Sequence, residues 1–214
     1  MRLAASPFVR GGPSFRGGTV LVYRDMPKPD SFVDLLNRLC RITHAAQFAD
    51  GLNPAQWEAL RFLSRANRYS ASPGALAEYL GTTKGTASQT LIALEMKGMI
   101  ARVRSGHDRR KVRLALTDAG RERLGRDPLR SIGQAGTEIP DDQRSLVLSA
   151  MSSVIDTLCR QNGDARFGVC EDCRNLEGGC EGACAADAVL CGLTGETLAQ
   201  SELTQICVNF RRSA

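Results

Sequence analysis

The sequence predicts a mainly α-helical fold with one small β-hairpin, followed by a small cysteine-rich unit. Three observations lead there. Six segments between positions 30 and 160 carry helical apolar spacing or helix-start signals. Two short runs near positions 100 and 114 alternate with period two instead. Beyond Gly163 the periodicity stops while Gly and Cys become frequent.

From Asp30 to Ala49, residues Phe32, Leu35, Leu36, Leu39, Ile42 and Ala46 line one face of a long amphipathic helix, which Asp30 or Ser31 can cap. Asn53-Pro54 supplies the N-cap and first-turn signal of a second helix, with Trp57, Leu60, Phe62 and Leu63 as its buried face up to about Ala66. Ser72-Pro73 opens a short third helix to Leu80, where Gly81 fits a C-cap. Thr82 or Thr83 then caps a fourth helix, which runs to about Lys97 and stops at Gly98. The alternating runs Met99–Arg104 and Lys111–Leu116 flank the polar turn Ser105-Gly106-His107-Asp108, which predicts a hairpin with a basic tip. Thr117-Asp118 caps a fifth helix. Pro140-Asp141 opens a sixth through roughly Cys159, with Leu146, Leu148, Met151, Val154, Ile155 and Leu158 on its apolar side. Helix, glycine-containing turn, helix and then a basic hairpin make a winged helix-turn-helix. The first and last helices carry more apolar surface than such a domain needs, so they are expected to be dimerisation helices at its two ends.

Composition is that of a globular chain: 214 residues, 43% hydrophobic and 24% charged. The segment 1–28, with Arg10-Gly11-Gly12-Pro13 and Arg16-Gly17-Gly18, is expected to be a flexible arm, or a leader ahead of a start at Met26. Residues 29–162 form the winged-helix and dimerisation domain, and 167–212 the cysteine-rich segment. No apolar run is long enough for a membrane span and no signal-peptide pattern opens the chain, so a cytoplasmic protein without membrane contact is expected. The net charge of +5 is unevenly spread. Between positions 60 and 125 there are thirteen Lys/Arg against five Asp/Glu, whereas 166–214 holds four against seven. The first region wants an anionic partner and the second does not share it.

Thr83, Lys84, Thr86, Ala87, Ser88, Gln89 and Thr90 give the fourth helix a small, polar face suited to a major groove. Gln can read adenine edges there, and Ala or Thr methyls can meet the thymine methyl. Arg109 and Arg110 at the hairpin tip suit the negative potential of a minor groove, and Arg102, Arg104, Lys111 and Arg113 suit phosphates. His107 is expected at the surface, and His44 either in solvent or at the core edge.

Three blocks carry a family resemblance: Gln56-Trp57-Glu58-Ala59-Leu60-Arg61-Phe62-Leu63, Leu76-Ala77-Glu78-Tyr79-Leu80-Gly81-Thr82-Thr83-Lys84-Gly85-Thr86-Ala87-Ser88-Gln89-Thr90-Leu91, and Asp108-Arg109-Arg110-Lys111-Val112-Arg113-Leu114-Ala115-Leu116-Thr117-Asp118-Ala119-Gly120. Residues 30–160 resemble the MarR family of bacterial regulators. The resemblance implies a homodimer that binds a pseudo-palindromic operator in double-stranded DNA, Asp108 bracing Arg110 at the wing, and a possible small-molecule effector between the dimer helices and the DNA-binding lobe.

Eight cysteines in a chain without an export signal point to metal or redox chemistry rather than a disulfide framework. Cys170-x2-Cys173, then Cys191, then Cys207 supply four thiolates with no nearby His. An iron–sulfur cluster, a zinc ion and a reversible dithiol switch all fit. The spacing, ending in Cys207-x-x-Phe210, resembles the motif of high-potential iron–sulfur proteins, although Gln205-Ile206 replaces the Gly-Trp that usually precedes the last cysteine. The Cys-Pro-x-Cys-Gly pattern of zinc knuckles is absent. Cys180 and Cys184 read as spare, accessible thiols, and Cys40 and Cys159 as small apolar core residues.

Neither a nucleotide-binding glycine fingerprint nor a catalytic Ser/His/Asp or Cys/His set is present, so no enzymatic activity is expected. The expected function is a repressor-like regulator whose operator affinity responds to the C-terminal metal or thiol state. The competing reading is a redox or zinc-stabilised interaction module that uses the winged helix as a docking surface.

Overall fold

A computed structural model describes residues 31–104, 112–162, 167–178 and 189–212. The expected flexible arm, the wing tip with His107, Asp108, Arg109, Arg110 and Lys111, and the thiols Cys180 and Cys184 lie outside the described residues. The chain divides into two compact units, 1–39 and 40–214. Helix α1 (Phe32–Ala46), which begins in the first and ends in the second, is capped by Ser31, whose hydroxyl accepts from the Asp34 N–H at 3.2 Å. Along α1 the side chains of Phe32, Leu35, Leu39 and Ile42 are exposed.

In the second unit the local signals act where the sequence places them. Helix α2 (Pro54–Arg65) starts with a capping box in which Asn53 and Gln56 each accept from the other's backbone N–H. Helix α3 (Pro73–Tyr79) is capped by Ser72, and α4 (Lys84–Met96) by Thr83. Gly81 and Gly98 follow these helices at φ +58° and +68°, the left-handed conformation that favours glycine at a helix end. Strands β1 (Ile100–Arg104) and β2 (Val112–Leu116) pair antiparallel, Ile100 opposite Leu116 and Arg104 opposite Val112. Trp57, Leu60, Phe62, Leu76, Leu91 and Leu94 form the fully buried centre, closed below by Met99, Ile100 and Leu114. Burying six such side chains stabilises the domain by roughly 1.5–3 kcal/mol each.

After the hairpin the structure has three helices where the sequence predicts two: α5 (Asp118–Leu124), α6 (Arg130–Thr137) and α7 (Asp141–Asn162). Helix α6 has no side-chain cap and contains Gly133 and Gly136, so it lacks the signals by which a helix is read from sequence. Its approach is set by a tertiary interaction instead. Arg61 donates two hydrogen bonds to the Asp127 carboxylate, both at 2.7 Å, while Asp127 also accepts from the Leu129 N–H at 2.9 Å. The same guanidinium reaches Gln47 at 2.8 Å and Glu58 at 2.7 Å. A further correction concerns Cys40 and Cys159, which are exposed and half-buried rather than core residues. Leu146, Leu148, Ile155 and Leu158 of α7 are exposed as well.

Residues 167–212 build short pieces of sheet. Strand β3 (Gly168–Val169) pairs with β7 (Ile206–Cys207), and β4 (Leu176–Glu177), β5 (Val189–Cys191) and β6 (Glu196–Leu198) form a three-stranded antiparallel sheet. Cys170, Leu198, Leu203, Cys207 and Phe210 form a second apolar cluster. This lobe packs in the same unit as the winged helix. Ile206 enters the main core, and Phe167 meets Tyr79 edge-on with ring centroids 5.2 Å apart. Among the described residues no helix is long and apolar enough to cross a membrane.

Gly120 of α5 lies against the hairpin so closely that a Cβ there would collide with the Met99 carbonyl oxygen, whereas Gly133 of α6 has open space. Gly120→Ala is therefore expected to destabilise the protein by about 1–3 kcal/mol, and Gly133→Ala to be neutral or mildly stabilising, as measured by urea unfolding. Burial opposes ionisation of Asp127, but the bonds from Arg61 and from the Leu129 N–H outweigh it and hold the carboxyl below the usual range. A carboxyl with a depressed folded-state pKa adds stability above its unfolded value, and that stability is lost as pH falls through the folded value. Asp127→Asn should thus cost about 1–3 kcal/mol at pH 7, with the gap from the unsubstituted protein closing as the pH drops below about 4.

Candidate nucleic-acid interface and cysteine site

Helix α4 is presented by its own cap and by the core beneath it. Thr83 Oγ1 accepts from the Thr86 N–H at 3.1 Å and lies 3.0 Å from the Thr86 hydroxyl, and the Thr90 hydroxyl donates to the Thr86 carbonyl at 3.2 Å. Lys84, Thr86 and Gln89 are exposed, while Ser88 and Thr90 are half-buried. Ala87 is a correction. It is fully buried, with Leu91 and Leu94 on the same inward stripe, so its methyl is core rather than a contact for bases. Arg102 is ion-paired to Glu95 at 3.0 Å, a partly exposed pair that contributes little to stability and can exchange for another anion. Arg104 ends β1, and Arg113 is exposed on β2 opposite Val103. The four remaining wing residues, Asp108, Arg109, Arg110 and Lys111, lie outside the described residues.

The four sequence-predicted thiols come together from separate elements. Cys170 opens a 3-10 turn (Cys170–Asp172) after β3, Cys173 follows that turn, Cys191 ends β5 and Cys207 ends β7. With Tyr69, Asn175, Leu176, Leu193, Leu198 and Asn209 they line one cleft of about 330 Å³ of empty space including its mouth. Cys170 and Cys207 are buried, Cys173 and Cys191 half-buried, and all four are free thiols. Burial pushes the Cys170 thiol up to about 11, and Cys207 adds to the shift while a hydrogen bond from Asn67 opposes it. Among the described residues no three His, Cys, Asp or Glu side chains are gathered as ligands of a single metal ion.

Sequence reasoning missed the residues that join this cleft to the winged helix. Asn67, only 1% exposed, lies in the connection between α2 and α3. Its side-chain oxygen accepts from the Tyr69 N–H, the Ser70 N–H and the Ser70 hydroxyl at 2.8–3.1 Å, and its Nδ2 donates to the Cys170 sulfur at 3.7 Å. The Asn67 N–H donates to the Ile206 carbonyl at 3.0 Å, and Ser70 Oγ accepts from the Val208 N–H at 2.8 Å. One residue on, the Ala71 carbonyl accepts from the Leu114 N–H of β2 at 2.8 Å. Around this strip Arg68 pairs with Glu202 at 3.1 Å, and the Tyr69 hydroxyl donates to Glu196 at 2.7 Å. In sequence, Asn67-Arg68-Tyr69-Ser70 looks like any polar loop. Nothing local shows that its asparagine will be enclosed.

The model of the MarR family matches residues 50–111, which span α2, α3, α4 and β1. Over residues 50–111 the chain is similar to the MarR family. No curated protein matches the chain in sequence. Among solved structures, the Staphylococcus aureus MepR–DNA complex superposes with a TM-score of 0.50 at 16% identity, covering 60% of this chain and 99% of that one. MarR of the same organism, solved with salicylate and kanamycin, gives 0.50 at 22% identity, with 60% and 88% covered. At these identities the likeness is one of fold.

In this winged helix, then, the connection ahead of the helix-turn-helix is bonded on one side to a cysteine cleft and on the other to β2 of the hairpin. Removing the Asn67 amide takes the acceptor from the Tyr69 N–H and the buried Ser70 hydroxyl, while the Ser70 N–H keeps the Asn67 backbone carbonyl. Asn67→Ala should lower stability by about 2–4 kcal/mol and speed the reaction of Cys170 with a thiol reagent in the metal-free protein. Unchanged Cys170 reactivity at equal folded fraction would show that the amide does not hold the lobe.

Proposed function

We propose that the protein is a sequence-specific, DNA-binding transcriptional regulator that acts as a dimeric repressor, with its operator affinity modulated by the state of the C-terminal cysteine site. The observation that carries this reading is the outward face of α4. Lys84, Thr86 and Gln89 are exposed on a helix whose opposite stripe, Ala87, Leu91 and Leu94, is locked in the core. A rigid helix with a short polar face beside a basic hairpin is the arrangement that places base-reading groups in a major groove and cations on the flanking backbone. The match to the MarR family and the fold shared with MepR, which has been solved with DNA, support it.

Exposed apolar side chains on α1 and α7 support dimerisation. Phe32, Leu35, Leu39 and Ile42 on α1, and Leu146, Leu148, Ile155 and Leu158 on α7, are exposed in the single chain. A second copy is the occupant that would place two α4 helices on half-sites about one helical turn apart, in a pseudo-palindromic operator. A small-molecule effector is part of the same reading, supported by the salicylate and kanamycin complex of the S. aureus MarR.

The test is operator selection from random duplexes, followed by affinity titrations across a salt series. Lys84→Ala should weaken binding to all duplexes alike and reduce the salt slope by about 1, whereas Gln89→Ala should cost about 1–3 kcal/mol, concentrated at one base pair of each half-site. A protein that selects no sequence and binds DNA without salt dependence would be the docking module instead.

A further inference from the structure

We propose that the cleft of Cys170, Cys173, Cys191 and Cys207 binds an iron–sulfur cluster, of the four-iron, four-sulfide class, through all four thiolates. This deepens the proposed regulation by naming what occupies the site. It rests on that reading only for the effect on DNA, not for the cluster itself.

Four features of the cleft favour a cluster. The first is the donor set, four thiols with no imidazole or carboxylate lining the same space, which selects soft, thiophilic metals. The second is the shape. A tetrahedral zinc ion sits about 2.3 Å from each sulfur, so its ligands close on a point. Here the thiols line one cleft that Leu176, Leu193 and Leu198 also wall, and among the described residues no three of them are gathered on a single point. The third is hydrogen bonding to sulfur. The Asn67 side chain donates to Cys170 Sγ at 3.7 Å, and the Arg211 N–H donates to Cys173 Sγ at 3.5 Å. Such bonds disperse thiolate charge and tune the potential of a cluster. The fourth is anchoring. The ligands come from a turn and two strands, with Gly168 and Cys207 paired across β3 and β7, so backbone pairing helps to position them.

The same hydrogen bond gives the cluster a route to the DNA-binding surface. Asn67 links Cys170 to Ser70, and the adjoining Ala71 holds β2 at Leu114, three residues ahead of the Thr117 cap and at the root of the wing. Gain or loss of the cluster changes the group that accepts the Asn67 amide, and with it the seat of both α3 and the hairpin.

The experiment is anaerobic purification of the full chain, followed by iron, acid-labile sulfide and zinc analysis and a visible spectrum, and by reconstitution of the metal-free protein with ferrous iron and sulfide. About four iron and four sulfide per chain, with broad absorbance near 400 nm, is the expected result. The colour should be lost in Cys173→Ser and kept in Cys40→Ser. One zinc per chain without sulfide would overturn the proposal, as would a folded protein that takes up neither metal nor sulfide under reconstitution. Because the metal and sulfide contents are measured on the unsubstituted chain, a misfolded variant does not blur the answer. Selected-operator affinity measured with and without the cluster separates the two readings: a cluster that leaves affinity unchanged removes the regulatory role and retains the site.

Discussion

The enclosed side-chain amide of Asn67 is the constraint on which the two halves of the second unit depend. An amide taken out of water is costly unless each of its groups finds a partner. Here the oxygen takes three donors from Tyr69 and Ser70, and the Nδ2 group reaches the Cys170 sulfur. The first set of bonds shapes the α2–α3 connection, and the last exists only when the C-terminal lobe is docked. Neither the turn nor the lobe is complete alone. The backbone repeats the arrangement, with Asn67 N–H on the Ile206 carbonyl and Val208 N–H on the Ser70 hydroxyl, so that strand β7 is stitched to the entrance of the helix-turn-helix.

Under the proposed function, this placement sets the route by which a signal at the cysteines would reach the DNA-binding surface. Sequence order suggests that the lobe acts through the last long helix, which it follows directly in the chain. Among the described residues, Arg212 pairs with Asp156 of that helix at 2.7 Å. The larger set of bonds, however, runs to residues 66–71, where Ala66 bridges Ile206 and Ala71 holds β2. The lobe is therefore bonded to the connection that leads into the helix-turn-helix. Arg61 plays the corresponding part on the other side of α2, fastening Gln47, Glu58 and Asp127 to one guanidinium and so fixing the start of α6 relative to the core.

Much of the winged helix was legible because its signals are local. Asn53, Ser72, Thr83 and Thr117 each cap the helix that the sequence places after them, and the hairpin register follows from alternation over Ile100–Arg104 and Val112–Leu116. The exposed face of α4 was legible only in part. Polar character identifies Lys84, Thr86 and Gln89, but alanine is at home both in a core and on a surface, so only the packing against Leu91 and Leu94 decides Ala87. Helix α6 and the strands of the C-terminal lobe were not read, because uncapped, glycine-containing helices and two- or three-residue strands carry too little periodicity.

By itself the sequence determined the helix-turn-helix and its wing, the basic character of that region and the identity of four candidate thiols, all properties that reside in single residues or in short spacings. What the tertiary structure alone decided is that those thiols share one cleft, that the cleft lies behind the helix-turn-helix, and that Asn67, Ser70 and Ala71 join the two. These depend on residues more than a hundred positions apart, and the forces that unite them, burial and the pairing of enclosed polar groups, act on proximity in space and leave no periodic mark on the chain.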